Sequence, residues 1–158
     1  MVAIDPLIGR VYIAGNMNYV LDTNVLVAAV RSPTEASAEI LRRVLTGQMQ
    51  ALCSVPLFME YEAVLVRPEL LSASQAQAHQ VLNVLDVLAG AVIRVDIQFL
   101  WRPQLRDPND DLVLELAVNG QGLGDDVTII TSNQKDFLPE ASQFGVGVIT
   151  PRQFFQGA

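Results

Sequence analysis

The sequence predicts an α/β domain with a central parallel sheet and helices on both faces. Three observations carry that expectation. Short apolar runs rich in β-branched residues alternate with longer stretches of helical periodicity, the pattern of βαβ units. The run Tyr19-Val20-Leu21 stops at Asp22, and a second apolar run opens at Val25, so a buried strand leads into a buried helix with a carboxylate at the joint. The length of 158 residues suits one domain, and a 51% hydrophobic composition suffices for a substantial core. With aromatics at 6%, that core must be mostly Val, Leu, Ile and Ala.

Residues 1–16 precede the first firm strand and read as an N-terminal extension, with Val11-Tyr12-Ile13 a candidate short strand. The strand before Asp22 is followed by a helix over 24–30. Ser32-Pro33-Thr34-Glu35 predicts the next helix start, with Ser as cap and Pro at the first position. Ile40, Leu41, Val44 and Leu45 keep helical spacing, and Gly47 can end that helix. Gln50 to Ser54 reads as a strand. Pro56 opens a helix with Phe58, Tyr61 and Leu65 on one face, and Pro68 stops it. Ser72 or Ser74 is expected to cap a helix running through Leu88 and ending at Gly90. Ala91 to Val95 is the next strand, and 96–109 form a polar loop.

Asp107-Pro108-Asn109-Asp110-Asp111 then opens a helix, since acidic residues suit the positive end of the helix dipole. Asn119-Gly120 closes it. Val127 to Thr131 is a β-branched strand, a loop carries Asn133 and Asp136, and Gly147 to Thr150 is a last strand. Thr150-Pro151 caps a final short helix.

Composition narrows the function. A net charge of -7 argues against a broad basic nucleic-acid face. It leaves room for an acidic site neutralised by cations, with a few Arg holding phosphates. The lone Cys53 lies in an apolar run and reads as a buried small residue, which fits a reducing compartment. No apolar stretch reaches about 18 residues, and the N-terminus lacks a basic segment followed by an apolar one. A cytoplasmic protein without a membrane span is expected.

Parallel topology directs Asp22, Asp110 and Asp136 toward one sheet edge, and Glu60 can project there from its helix. Glu62 lies about 200° round the helix from Glu60, so only one of the pair can face that edge. Four carboxylates without His or Cys make a hard-oxygen site suited to Mg²⁺ or Mn²⁺. The chemistry that needs such a site is phosphodiester hydrolysis, in which two divalent ions activate a water and stabilise the leaving oxygen. Arg102 and Arg106 flank the acidic turn and are candidate phosphate contacts, and Trp101 packs or stacks a base.

Taken together, Tyr19-Val20-Leu21-Asp22-Thr23-Asn24, Glu60-Tyr61, Asp107-Pro108-Asn109-Asp110-Asp111 with Leu114 to Ala117, and Ile129 to Phe137 resemble PIN-domain ribonucleases, nearest to VapC-like toxins. The likeness covers roughly residues 18–151, and the ordered set carries it rather than any one motif. It implies a PIN-like three-layer α/β/α sandwich over 17–158 and metal-dependent cleavage of single-stranded RNA. It makes Asp22, Glu60 and Asp110 the core metal carboxylates. Asp136 takes a fourth, more variable place, and either Asn133 or Asp136 completes the set. Thr23, Asn24 and Thr131 become supporting hydrogen-bond residues. A cognate antitoxin and a homodimer are the implied partners.

Blander readings stand beside these. Asp22 alone can be a helix cap, Asp111 an ordinary first-turn acid and Asp107 a turn former. Glu62 and His79 read as exposed. Arg42-Arg43 read as a solvated helix end, and Gly120, Gly122 and Gly124 sit in the wrong context for a dinucleotide loop. A haloacid-dehalogenase-like phosphatase would need an acid where Asn24 stands. A catalytically inactive PIN-like binding or assembly module is the non-enzyme alternative.

Overall fold

The computed structural model describes residues 2–4, 11–13, 17–99, 104–123 and 126–157. Strands β1 (Val2–Ile4) and β2 (Val11–Ile13) pair antiparallel in a sheet of their own. β2 falls where the sequence placed a strand; β1 was not anticipated.

The central sheet begins with β3 (Asn18–Leu21), followed by α1 (Thr23–Arg31) and α2 (Ala36–Leu45). Next come β4 (Leu52–Cys53), α3 (Val55–Leu65), α4 (Pro68–Ser74), α5 (Ala78–Ala91) and β5 (Ile93–Arg94). The chain finishes with α6 (Pro108–Gly120), β6 (Val127–Ile130), α7 (Glu140–Gln143), β7 (Gly147–Ile149) and α8 (Pro151–Phe155). β3 pairs β6, and β6 pairs β7, all parallel. β4 pairs β5 in parallel, and a parallel bridge from Tyr19 to Ala51 joins this pair to β3. The strand order is therefore β5-β4-β3-β6-β7. The result is the expected α/β sandwich on a parallel sheet.

A parallel sheet covered on both faces should be apolar on both sides of each strand. β6 obeys, with all four residues buried. Val20, Leu21, Leu52, Cys53, Ile93, Val127, Ile129 and Ile130 are strand residues of the core, and Leu57, Tyr61, Leu114 and Leu116 reach it from α3 and α6. Tyr61 is fully buried, and its hydroxyl donates to the Leu21 carbonyl at 2.5 Å. That bond fastens α3 to the end of β3. Among the described residues no helix is long and apolar enough to cross a membrane.

Two helix starts differ from expectation. Ser32 does not open α2: its N–H donates to Ala28, so it closes α1, and Pro33 to Glu35 form a turn before α2 begins at Ala36. A helix that continues to Arg31 uses up the proposed cap. Ser72 and Ser74 lie inside α4, where the Ser74 hydroxyl bonds back to Leu70 at 2.8 Å. α4 ends at left-handed Gln75, and α5 is capped by Gln77, whose N–H is met by the Gln80 side chain at 2.9 Å. Gly90 lies within α5, which runs on to Ala91. Other punctuation matches the sequence: Gly47 follows α2 with φ +78°, and Thr150 with Gln153 boxes α8.

Tyr61→Phe should destabilise the protein by about 1–2 kcal/mol, because the buried Leu21 carbonyl loses its phenol partner with no change in packing shape. Urea denaturation of the two proteins measures this, and equal midpoints would show that the bond contributes nothing.

Candidate active site

β3 and β6 are neighbours, yet the chain leaves them in opposite directions, β3 toward β4 and β5, β6 toward β7. A crevice opens where adjacent parallel strands diverge in this way, at their carboxyl ends. Asp22 follows β3 there and Thr131 follows β6. Asp22 sits at the cap position of α1, where the N–H groups of Thr23 and Asn24 favour its charge without closing a capping hydrogen bond of full geometry. Its Oδ2 instead accepts from the Thr131 hydroxyl at 2.8 Å, across the divergence.

Three more elements converge. Ser54 caps α3 by accepting from Leu57 N–H, and Pro56 fixes its first turn. Glu60 then meets the Thr23 hydroxyl, which donates to Oε2, while Glu62 is exposed. Asp107 caps α6 by accepting from Asn109 N–H at 2.9 Å, the turn role read for it. Asp110 follows in the first turn, partly buried. After β6, Thr131 Oγ1 accepts from Asn24 Nδ2 at 3.4 Å and Asn133 N–H at 3.1 Å. Asn133 Nδ2 donates to Asp136 Oδ2 at 2.6 Å. One network thus runs from Asp22 through Thr131 to Asn24 and Asn133, and on to Asp136.

Electrostatics ties the carboxylates together. Asp110 is pushed up to about 7, chiefly by burial, then by the charges of Asp22, Asp107, Asp136 and Glu60. Burial also raises Asp22, with Glu60 adding to it; the Thr131 hydroxyl and the N–H groups of Thr23 and Asn24 pull the other way and lose. Buried carboxyls whose charged forms are disfavoured, as Asp22 and Asp110 are, make donors whose charge a hard divalent cation would offset. Among the described residues, however, no three acidic, His or Cys side chains stand as a ready ligand cage. Thr23 and Asn133 each hold a carboxylate oxygen, of Glu60 and of Asp136.

Arg106 is exposed on the bend before α6; Arg102 and Trp101 lie outside the described residues, as does Gly124. Asp111 corrects the sequence reading. It is no ordinary exposed first-turn acid but is 2% exposed, accepting from the N–H groups of Gln104 and Leu105 at 3.2 and 3.0 Å. The sequence hinted at this only through the doubled acid, one member of which must turn inward on the helix. Cys53 is buried, and burial pushes its thiol up to about 12, as its apolar surroundings suggested. His79 is exposed, and Arg42 and Arg43 pair with Glu39 on their own helix.

A parallel α/β sandwich with coupled carboxylates at its divergence point is one established class of domain. The chain belongs to the PIN domain family, whose model matches residues 18–135. Among solved structures it is similar to the crystal structure of VapBC2 from Rickettsia felis bound to a DNA fragment from their promoter. That match has 16% identity and a TM-score of 0.54, and covers 85% of this chain and 98% of that one. At such identity the likeness is one of fold. No curated protein matches the chain in sequence.

The raised carboxyls make stability depend on pH. Between the ordinary value of 3.8 and about 7, the unfolded chain has Asp110 ionised while the folded protein holds a proton on it. Folding stability should therefore fall as pH rises through that window, in chelator. Asp110→Asn removes the cost, so its melting temperature at pH 8 should exceed wild type by about 2–4 °C, with no difference near pH 4. Thermal melts in EDTA across that range check it; a wild-type advantage at pH 8 would refute the repulsion.

Proposed function

We propose that the chain is a divalent-cation-dependent endoribonuclease that cleaves single-stranded RNA, the toxin member of a toxin–antitoxin pair. The observation that carries the proposal is the gathering of carboxylates at the divergence of β3 and β6, where Asp110 is pushed up to about 7 by burial first and then by the charges of Asp22, Asp107, Asp136 and Glu60. In this reading Asp22, Glu60, Asp110 and Asp136 hold Mg²⁺ or Mn²⁺. When bound, the ions supply Lewis acidity that activates a water and stabilises the leaving oxygen of a phosphodiester. The chain's own residues orient and neutralise. Thr131 fixes the Asp22 carboxylate, Thr23 fixes Glu60, Asn24 braces Thr131, and Asn133 aims Asp136. That division gives Asp136 the fourth carboxylate place and Asn133 a positioning one. Asp110, pushed up to about 7, would be favoured in its ionised form by a bound cation.

The toxin role draws its support from the family and from the fold shared with a VapBC2 complex. An antitoxin and a second copy of this chain are the protein partners proposed, in the cytoplasm. The activity is assigned to residues 17–158.

Asp22→Asn should lower Mn²⁺-dependent cleavage of a mixed-sequence single-stranded RNA by about 10²–10³-fold, since stabilisation of several kcal/mol is at stake. The variant should keep a wild-type urea midpoint within about 1 kcal/mol. Chelation should abolish cleavage by wild type. A folded wild type that neither cleaves RNA nor binds Mn²⁺ in calorimetry would instead be a binding module.

A further inference from the structure

A cleft of about 540 Å³ reaches one of the site carboxylates, Asp136, and has Gln104, Arg106, Asn133, Lys135 and Glu140 among its other lining residues. Asp136 belongs both to this cleft and to the group of charges that raises Asp110. Two cations line it, Arg106 and Lys135, and both are exposed. Elsewhere Arg42, Arg43 and Arg94 are bound to Glu39 or Asp96, while Arg31, Arg67 and Arg152 have no ion pair among the described residues but lie away from this cleft. Among the described residues, neither Arg106 nor Lys135 is within ion-pair distance of a carboxylate, despite the chain's charge of -7.

The segments that present these cations are tethered. Asp111 grips the N–H groups of Gln104 and Leu105, immediately before Arg106, and Leu105 is itself buried. The turn bearing Lys135 is held by Gln134 Nε2, which donates to the Val148 carbonyl at 2.9 Å, and by the Asn133–Asp136 bond. Side chains on anchored backbone lose less freedom on binding an anion than they would on a loose loop.

We propose that Arg106 and Lys135 form a phosphate subsite in this cleft, which holds the backbone phosphate next to the scissile one in a single-stranded RNA. It rests on the nuclease reading and adds where the strand lies: between the α6 entry and the turn after β6. Repulsion by the carboxylates pushes an RNA backbone away, and two fixed cations beside them offset that repulsion at one adjoining phosphate. Neither residue is assigned a part in the chemistry; they act on binding.

The test uses the full chain in EDTA, so that binding is read without cleavage. Fluorescence anisotropy of a labelled mixed-sequence single-stranded RNA is followed across a salt titration. Arg106→Gln with Lys135→Gln should raise Kd by about tenfold, the low end of what a charged hydrogen bond is worth. The slope of log K against log salt should become shallower by about 0.7, one phosphate contact on a single strand. Lys135→Arg should hold near wild-type affinity. In Mn²⁺-dependent cleavage the double variant should raise KM and leave kcat. Melts confirm that each variant folds. Unchanged Kd and slope in the double variant, with wild type cleaving RNA, would overturn the subsite alone. A wild type that neither binds nor cleaves RNA would overturn the nuclease reading and the subsite with it.

Discussion

The constraint on which the site depends is the burial of Asp22 at the end of an apolar strand. It is 7% exposed, and burial outweighs every hydrogen bond that favours its charge. A carboxylate cannot be held there by the strand's own backbone, because β3 spends its polar groups on neighbouring strands. It is held by Thr131, from the one strand that lies beside it yet leaves the other way. The divergence of β3 and β6 therefore does two things at once. It opens the crevice, and it supplies the hydroxyl that makes a buried carboxylate tolerable within it.

From that bond the remaining parts follow. Thr131 can face Asp22 only if its loop is braced, and Asn24 and Asn133 brace it from both sides. Ser132 N–H donates to Asn24 Oδ1 at 3.2 Å, so the amide of Asn24 clamps this loop with both ends. Tyr61 ties α3 to the last residue of β3, which sets Glu60 one position away from a buried anchor. Asp111 does the same for α6: it is buried so that Asp110, its neighbour, can face the crevice. In each helix one residue of an adjacent pair locks the helix and the other meets the site. The alternative reading as an inert module leaves this repeated arrangement without a purpose, since the coupled charges raise the free energy of the folded state.

Much of this was legible because the responsible signals are local. A strand ending at Asp22, Pro56 after Ser54, Asp107 before Pro108 and Thr150 before Pro151 each say where an element begins, and the helices start there. Three readings failed for one reason: competition from elements that local sequence does not show. Ser32 looked like a cap, but α1 reached it first. Gln77 does not look like a cap, yet it became one once α4 closed at Gln75. Asp111 looked like a second exposed acid, and only the returning segment at Gln104 and Leu105 turns it into a buried anchor. The side-chain network linking Asp22, Thr131, Asn133 and Asp136 joins residues more than a hundred positions apart, so motif spacing indicated only that they share an edge.

The overall acidity of the chain, which seemed at odds with a nucleic-acid substrate, becomes intelligible once charges are placed rather than counted. The formal charge of -7 includes the crevice carboxylates, of which Asp22 and Asp110 are pushed up chiefly by burial, and which a cation would neutralise. Several arginines are spent on their own helices or strands. Arg106 and Lys135 are not, and they line one cleft with Asp136, one residue coming before α6 and one after β6. A domain with a broad basic surface would attract a polyanion everywhere with no preference of register. Where most of a surface is acidic, two cations beside Asp136 strengthen attraction at the place where hydrolysis is proposed. Acidity in this chain then sharpens where a strand can lie, provided the crevice is charged with metal.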